Sequence, residues 1–282
     1  MTTPRPTLID AAGGLPATSV GEADSWWFGA RLHHEEKVFW VKIHAMEMNG
    51  ACTSTVALLQ EPDGRTSDKH TVEGVDGVTL SADALDVRTS LLTVQGDLDE
   101  LEISGATDAA SIRLTLRRDD DPVLHSGGAG VFPFFGGRTG QYALSGLTTS
   151  GTITVDGVTH EVGGRTWFDR QWVSGATEAP RFTWLGLDVG AGRRLSVWDT
   201  AGDGSAWLTE LRADGAHLIT DARRTDRNGQ WALTVPALDA SLDITHRALF
   251  SAPGVYTGAC QVTGTLAGEE ITGHGFTDVI GY

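Results

Sequence analysis

Along its whole length this chain alternates short apolar runs with turn signals, and a sustained 3.6-residue apolar period is hard to find. That pattern constrains the fold more than any other feature. Apolar runs at residues 25–32, 38–44, 52–59, 77–80, 91–94, 98–103 and 111–116 are rich in β-branched and aromatic side chains. Signals such as Pro62-Asp63-Gly64, Val75-Asp76-Gly77 and Gly96-Asp97 separate them. Runs this short cannot line a helix face, so the expectation is an all-β chain.

A second pattern sets the domain count. Residues 184–189 and 195–198 echo residues 27–32 and 38–41, each displaced by 157 positions. The closing segments echo too. Residues 151–169 run Gly, strand, Gly turn, strand, Gly, aromatic, Asp, and residues 264–278 repeat this with Gly268, Gly273, Gly275, Phe276 and Asp278. Repetition of opening and closing elements implies a degenerate duplication of one β-barrel unit. The expected organisation is a Pro/Gly-punctuated lead at 1–23, a first domain at 24–178 and a second at 179–282.

Within that frame, residues 163–172 stand out. The stretch Gly-Gly-Arg-Thr-Trp-Phe-Asp-Arg-Gln-Trp follows a hairpin signal at Asp156-Gly157. As a strand, it puts Trp167, Asp169 and Gln171 on one face and Thr166, Phe168, Arg170 and Trp172 on the other. Each face mixes rings with polar groups, which suits a pocket wall. The alternative is a core filled by the rings, with Asp169 paired to Arg170 at a strand end. The glycine-rich segment 125–137 carries Phe132, Phe134 and Phe135 but has no Lys-Ser/Thr, and no helix follows, so it is no phosphate loop. Its rings either cover the mouth of an apolar cavity or simply anchor a loop. His33 and His34 are adjacent, hence on opposite faces of a strand, and read as a polar turn, not a metal site.

The net charge of -16 disfavours nucleic acid and anionic lipid as partners. Cys52 and Cys260 show no metal or disulfide spacing and read as small core residues. No window has the length and apolarity of a membrane span, and the first 25 residues hold no apolar signal core, so a soluble, cytoplasmic protein is expected, monomer or homodimer.

Three motifs carry a family resemblance: Trp26-Trp27-Phe28, the central residues 167–172, and the closing residues 273–282. Together they resemble the lipocalin-like carotenoid 1,2-hydratase (hydroxyneurosporene synthase) family, whose fold the lipocalin-like Diels-Alderases of natural-product biosynthesis share. The resemblance implies two lipocalin-like β-barrel domains and a hydrophobic small-molecule substrate. Ser25 stands where the family has Glu, Phe28 where it has Tyr, Val173 where it has Gly, and Asp278 where it closes on Glu. Hydration of an alkene needs a general acid, and Asp169 is the candidate. Cycloaddition needs a folded polyene held between aromatic walls with one or two donors. Trp26, Trp27, Trp40, Phe132, Phe134, Trp167, Trp172 and Trp184 supply walls, and Gln171, Arg170 and Tyr142 supply donors. With a carboxylate and a phenol missing from the family pattern, the sequence favours a cofactor-independent cyclase on a polyene or polyketide, ahead of a hydratase or a non-catalytic carrier. No metal is expected.

Overall fold

The period-2 runs become strands, and the strands fall into two sets. The computed structural model describes residues 9–18, 22–119, 123–124 (backbone only), 130–212, 214–227 and 229–282. The start of the predicted lead and the first half of the glycine-rich segment lie outside the described residues. The first set is β1 (Ala23–His34), β2 (Lys37–Met48), β3 (Ala51–Glu61), β4 (Arg65–Gly74), β5 (Thr79–Leu80), β6 (Leu85–Arg88), β7 (Leu92–Gly96), β8 (Glu100–Ala106), β9 (Ala110–Arg117), β10 (Val123–Leu124), β11 (Val131–Phe134), β12 (Gly137–Val155) and β13 (Val158–Ser174). The second is β14 (Phe182–Asp188), β15 (Arg194–Asp199), β16 (Ser205–Leu211), β17 (His217–Arg227), β18 (Gln230–Val235), β19 (Ala240–Ala252), β20 (Val255–Leu266) and β21 (Glu269–Ile280). Two single-turn 3-10 segments, Val75–Gly77 and Pro236–Leu238, are the helical structure among the described residues.

Backbone contacts divide the chain into residues 1–178 and 179–282. The first unit is one antiparallel sheet in the order β4-β3-β2-β1-β13-β12-β9-β8-β7-β6-β5, with β10 and β11 added on β12. It does not close, so the first of the two expected barrels is an open, curled sheet with β4 and β5 at its edges. The exposed β4 carries Arg65, Asp68, Lys69 and Glu73, charges that discourage pairing with another chain. The second unit is a closed eight-stranded barrel in which β14 meets both β15 and β21. Among the described residues no helix is long and apolar enough to cross a membrane.

Alternation fixes which side chains enter each core. In the first unit Trp26, Phe28, Ala30 and Leu32 of β1 join Phe39, Val41 and Ile43 of β2, Leu144 of β12 and Phe168 of β13. Phe28 and Phe168 face each other in register and stack with centroids 4.3 Å apart. The second core holds Leu185 and Leu187 of β14, Leu195 and Val197 of β15, and Cys260 and Val262 of β20. Both cysteines are free and buried, and burial raises both thiols, Cys52 to about 11.

The described part of the lead is fixed to the core side of the first sheet. Leu15 lies in the core and its carbonyl accepts the Trp26 indole N–H at 2.9 Å. Tyr142 donates its hydroxyl to Ala11 O at 2.8 Å. Arg170 donates to Gly14 O and Pro16 O, both at 2.7 Å. Gly14 must lack a side chain, because a Cβ there would come within 2.9 Å of the Trp172 ring. These contacts satisfy the carbonyls of a segment that forms no strand of its own.

Candidate functional site

Registers across β12, β13, β1, β2 and β3 sort the predicted residues onto two faces. One row runs Tyr142, Arg170, Trp26, Ala45 on the core face; the next parallel row runs Ala143, Asp169, Trp27, His44, Thr55 on the opposite face. Asp169 and Arg170 therefore point to opposite sides, and the strand-end ion pair considered from sequence does not form. Asp169 accepts the Trp167 indole N–H at 3.0 Å. Arg170 pairs with Asp24 at 2.6 Å instead, with both side chains almost fully buried.

On the core face the polar groups are engaged in holding the lead. Arg170 donates to Gly14 O, Pro16 O, Ser25 O, Gln171 O and Asp24 Oδ1, which uses all five of its N–H groups. Its guanidinium lies 4.4 Å from the Trp26 ring centroid and 5.3 Å from that of Trp172. Burial pulls Arg170 below its usual value, opposed by Asp24. Burial likewise pushes the Tyr142 hydroxyl up, so it remains a donor to Ala11. The structure thus places Arg170, Tyr142, Trp26 and Trp172 together, but apart from Asp169 and Gln171.

The opposite face gathers Trp27, Trp40, Trp167, Asp169 and Gln171 with Lys42 and His44, two residues the sequence reading did not single out as functional. Phe132 sits across from Thr139 and Phe134 across from Gly137 on the same hairpin, which puts both rings on this face as well. Trp27, Trp40, Trp167, Phe132 and Phe134 are all buried. Trp27 is flanked in register by Asp169 on one side and His44 on the other. Neighbouring strands lie about 4.8 Å apart, so the backbones of Asp169 and His44 are separated by about 10 Å with both side chains on one face. His44 contacts the Ser25 hydroxyl through Nε2 at 3.0 Å. Burial, reinforced by Lys42 and His70, holds its pKa well below 6.5, so the imidazole is neutral at physiological pH. A neutral imidazole and a carboxyl group spaced across an indole can serve as proton acceptor and proton donor to a molecule lying over the ring.

Trp184 lies in the second unit, on the outer side of β14, where its indole donates to Ser196 at 3.1 Å. It sits in register with Asp278. Trp27 with Asp169 and Trp184 with Asp278 are the same cross-strand pair in two copies, and Gly29 with Trp167 matches Gly186 with Phe276. The duplication read from sequence is thus expressed residue against residue at these positions. The 157-residue displacement holds for β14 against β1, but not for β15 against β2. Trp184 pairs with Trp198 where Trp27 pairs with His44, so there the displacement is 154. Among the described residues no group of three or more His, Cys, Asp or Glu side chains is placed to hold a metal ion. An open concavity on the second unit, lined by Arg193, Arg212, Asp214, Pro236 and Leu238, contains none of the predicted site residues.

An all-β chain built from two copies of one strand pattern, with a Trp–acid pair at the same register in each, defines a two-unit lipocalin-like protein. The chain belongs to the AttH-like family, whose pattern matches residues 31–282. It is similar to the kievitone hydratase of Fusarium solani subsp. phaseoli, 26% identical in an alignment of 197 positions, gaps included, that covers 56% of this chain and 53% of that enzyme. The match thus spans about half the length of that curated relative. The solved kievitone hydratase of Nectria haematococca superposes with a TM-score of 0.86 at 18% identity, covering 98% of this chain and 93% of that one. A putative AttH of Nitrosomonas europaea gives 0.79 at 16% identity, with 98% of each chain covered. CghA, solved with Sch210972, gives 0.58 at 14% identity over 98% of this chain and 96% of its own. At these identities the solved structures establish a shared fold.

Proposed function

We propose that this protein is a cofactor-independent hydratase that adds water across an isolated carbon–carbon double bond of an apolar small molecule. The observation that carries the reading is the row Asp169–Trp27–His44, which sets a carboxyl group and a neutral imidazole on either side of an indole on one ring-rich face. Asp169 delivers a proton to the less substituted alkene carbon, and the cation develops at the more substituted one. Facing an indole, such a cation is stabilised by the ring's negative face. His44 takes a proton from the attacking water as its oxygen bonds to the cationic carbon. Solvent then returns that proton from His44 to Asp169, so the net change is one water added.

This ordering reverses the preference drawn from sequence, where the missing Glu and Tyr weighed against acid chemistry. His44 restores a second proton-transfer group, held by the Ser25 that replaces the Glu. The similarity to kievitone hydratases supports the same choice. The test is incubation of the purified protein with kievitone, the compound named for those relatives, followed by mass spectrometry. A product heavier by one water is expected, with Asp169→Asn slowed about a hundred- to ten-thousandfold while still folded. The ring-rich face also favours a second reading, cyclisation of a bound polyene. An isomeric product of unchanged mass from such a substrate, insensitive to Asp169→Asn, would establish it in place of the first.

A further inference from the structure

A further buried polar group lies on the Asp169 face. Gln141 of β12 is only 2% exposed, and its side-chain Oε1 has no hydrogen-bond partner among the described residues. Its backbone is fixed on both sides, opposite Gln171 of β13 and through its N–H to Gly130 O at 2.8 Å. It shares a face with Asp169, on the neighbouring strand and one pleat along, where side chains come within about 7–8 Å of each other. The neighbouring amide of Gln171 is engaged, since its Nε2 donates to Thr139 Oγ1 at 3.1 Å, and Thr139 donates in turn to Trp172 O at 3.0 Å.

Buried amide groups are almost always paired, because an unpaired one keeps the cost of losing water without any return. A site that tolerates such a group discriminates strongly in favour of a ligand that completes it. From this we infer that Gln141 is a specificity-determining residue that hydrogen-bonds a hydroxyl group of the substrate. A hydroxyl both donates and accepts, so it satisfies the amide whichever way the group is turned. The substrate class is therefore an apolar molecule with a hydroxyl near its double bond. That the bound hydroxyl compound is then hydrated rests on the proposed hydratase reading; the binding preference does not.

The test uses 2-prenylphenol and its methyl ether, with binding followed by quenching of the protein's tryptophan fluorescence. Wild-type protein is expected to bind the phenol about tenfold more tightly than the ether. In Gln141→Leu and Gln141→Met that ratio falls to about one, the ether binds no more weakly than to wild type, and the thermal midpoint is equal or higher because the unpaired amide is gone. A merely structural Gln141 would instead give lower midpoints and equal losses for both compounds, which overturns the inference. So does a phenol preference that survives in both variants, or wild-type protein that binds neither compound or binds both alike. If wild type keeps the preference but forms no product heavier by one water, the hydratase reading falls while the role of Gln141 stands.

Discussion

Arg170 and Asp169 are sequence neighbours with opposite fates: one pleat turns Arg170 into the core and Asp169 onto the ring-rich face where the proposed chemistry lies. Arg170 is a buried cation whose charge is matched by Asp24 and whose remaining N–H groups are closed by main-chain carbonyls. Removing the partner charge from such a pair typically costs about 3–5 kcal/mol. Asp24→Asn is expected to lose stability on that scale in denaturant titration, and a change within experimental error would show that Arg170 has another charge partner. His44 makes the pH-dependent prediction. Its folded pKa lies below the value of about 6.5 it takes in an unfolded chain, so the unfolded state binds a proton that the folded state refuses. Its contribution to stability is complete above about pH 6.5 and is lost progressively as the pH falls below it. The thermal midpoint should fall from pH 7.5 to 5.5, less steeply in His44→Gln; an equally steep fall in the variant would contradict this. The strand at 38–44 was legible in the sequence, but the residue facing His44 was not. That pairing depends on the tight two-residue turn at Glu35-Glu36, with Glu35 in the left-handed region, whereas the sequence put His33 and His34 in the turn and the structure puts both in β1.

Among the elements, the strands with alternating or continuous apolar side chains were legible because a buried face leaves a period of two. The β4 edge was not, since Arg65–Gly74 has an exposed, polar pattern that resembles a loop. The lead was legible only as Pro/Gly-punctuated chain. Its docking depends on carbonyls meeting Trp26, Tyr142 and Arg170, and backbone acceptors leave no trace in residue type. Deleting residues 1–18 should therefore destabilise the first unit by leaving the Arg170 and Tyr142 donors without their acceptors. Thermal unfolding measures this, and a truncated protein as stable as the full chain would show that the segment merely rests on the sheet.

For the molecule as a whole, duplication gives two units built on one pattern with different closure. The second unit pairs every strand on both sides, whereas β4 and β5 of the first end the sheet. Hydrogen exchange should find the amides of β14, β15, β20 and β21 better protected than those of β4, and the reverse order would argue against a closed second barrel. The two-fold pattern was visible in the repeated Gly-strand-Gly-aromatic-Asp endings, and the open form of the first sheet was not, because closure depends on how two edges meet in space. The acid–indole pair occurs in both copies, yet the imidazole at His44 is matched by Trp198 in the second. That asymmetry places the proposed chemistry in the first unit. The proposed water addition by Asp169 and His44 is tested by turnover of kievitone in oxygen-18 water. A product with one heavy solvent oxygen is expected in wild type and in Asp278→Asn, and almost none in Asp169→Asn or His44→Gln. A wild-type product without solvent oxygen, or one formed equally well without Asp169, would contradict it.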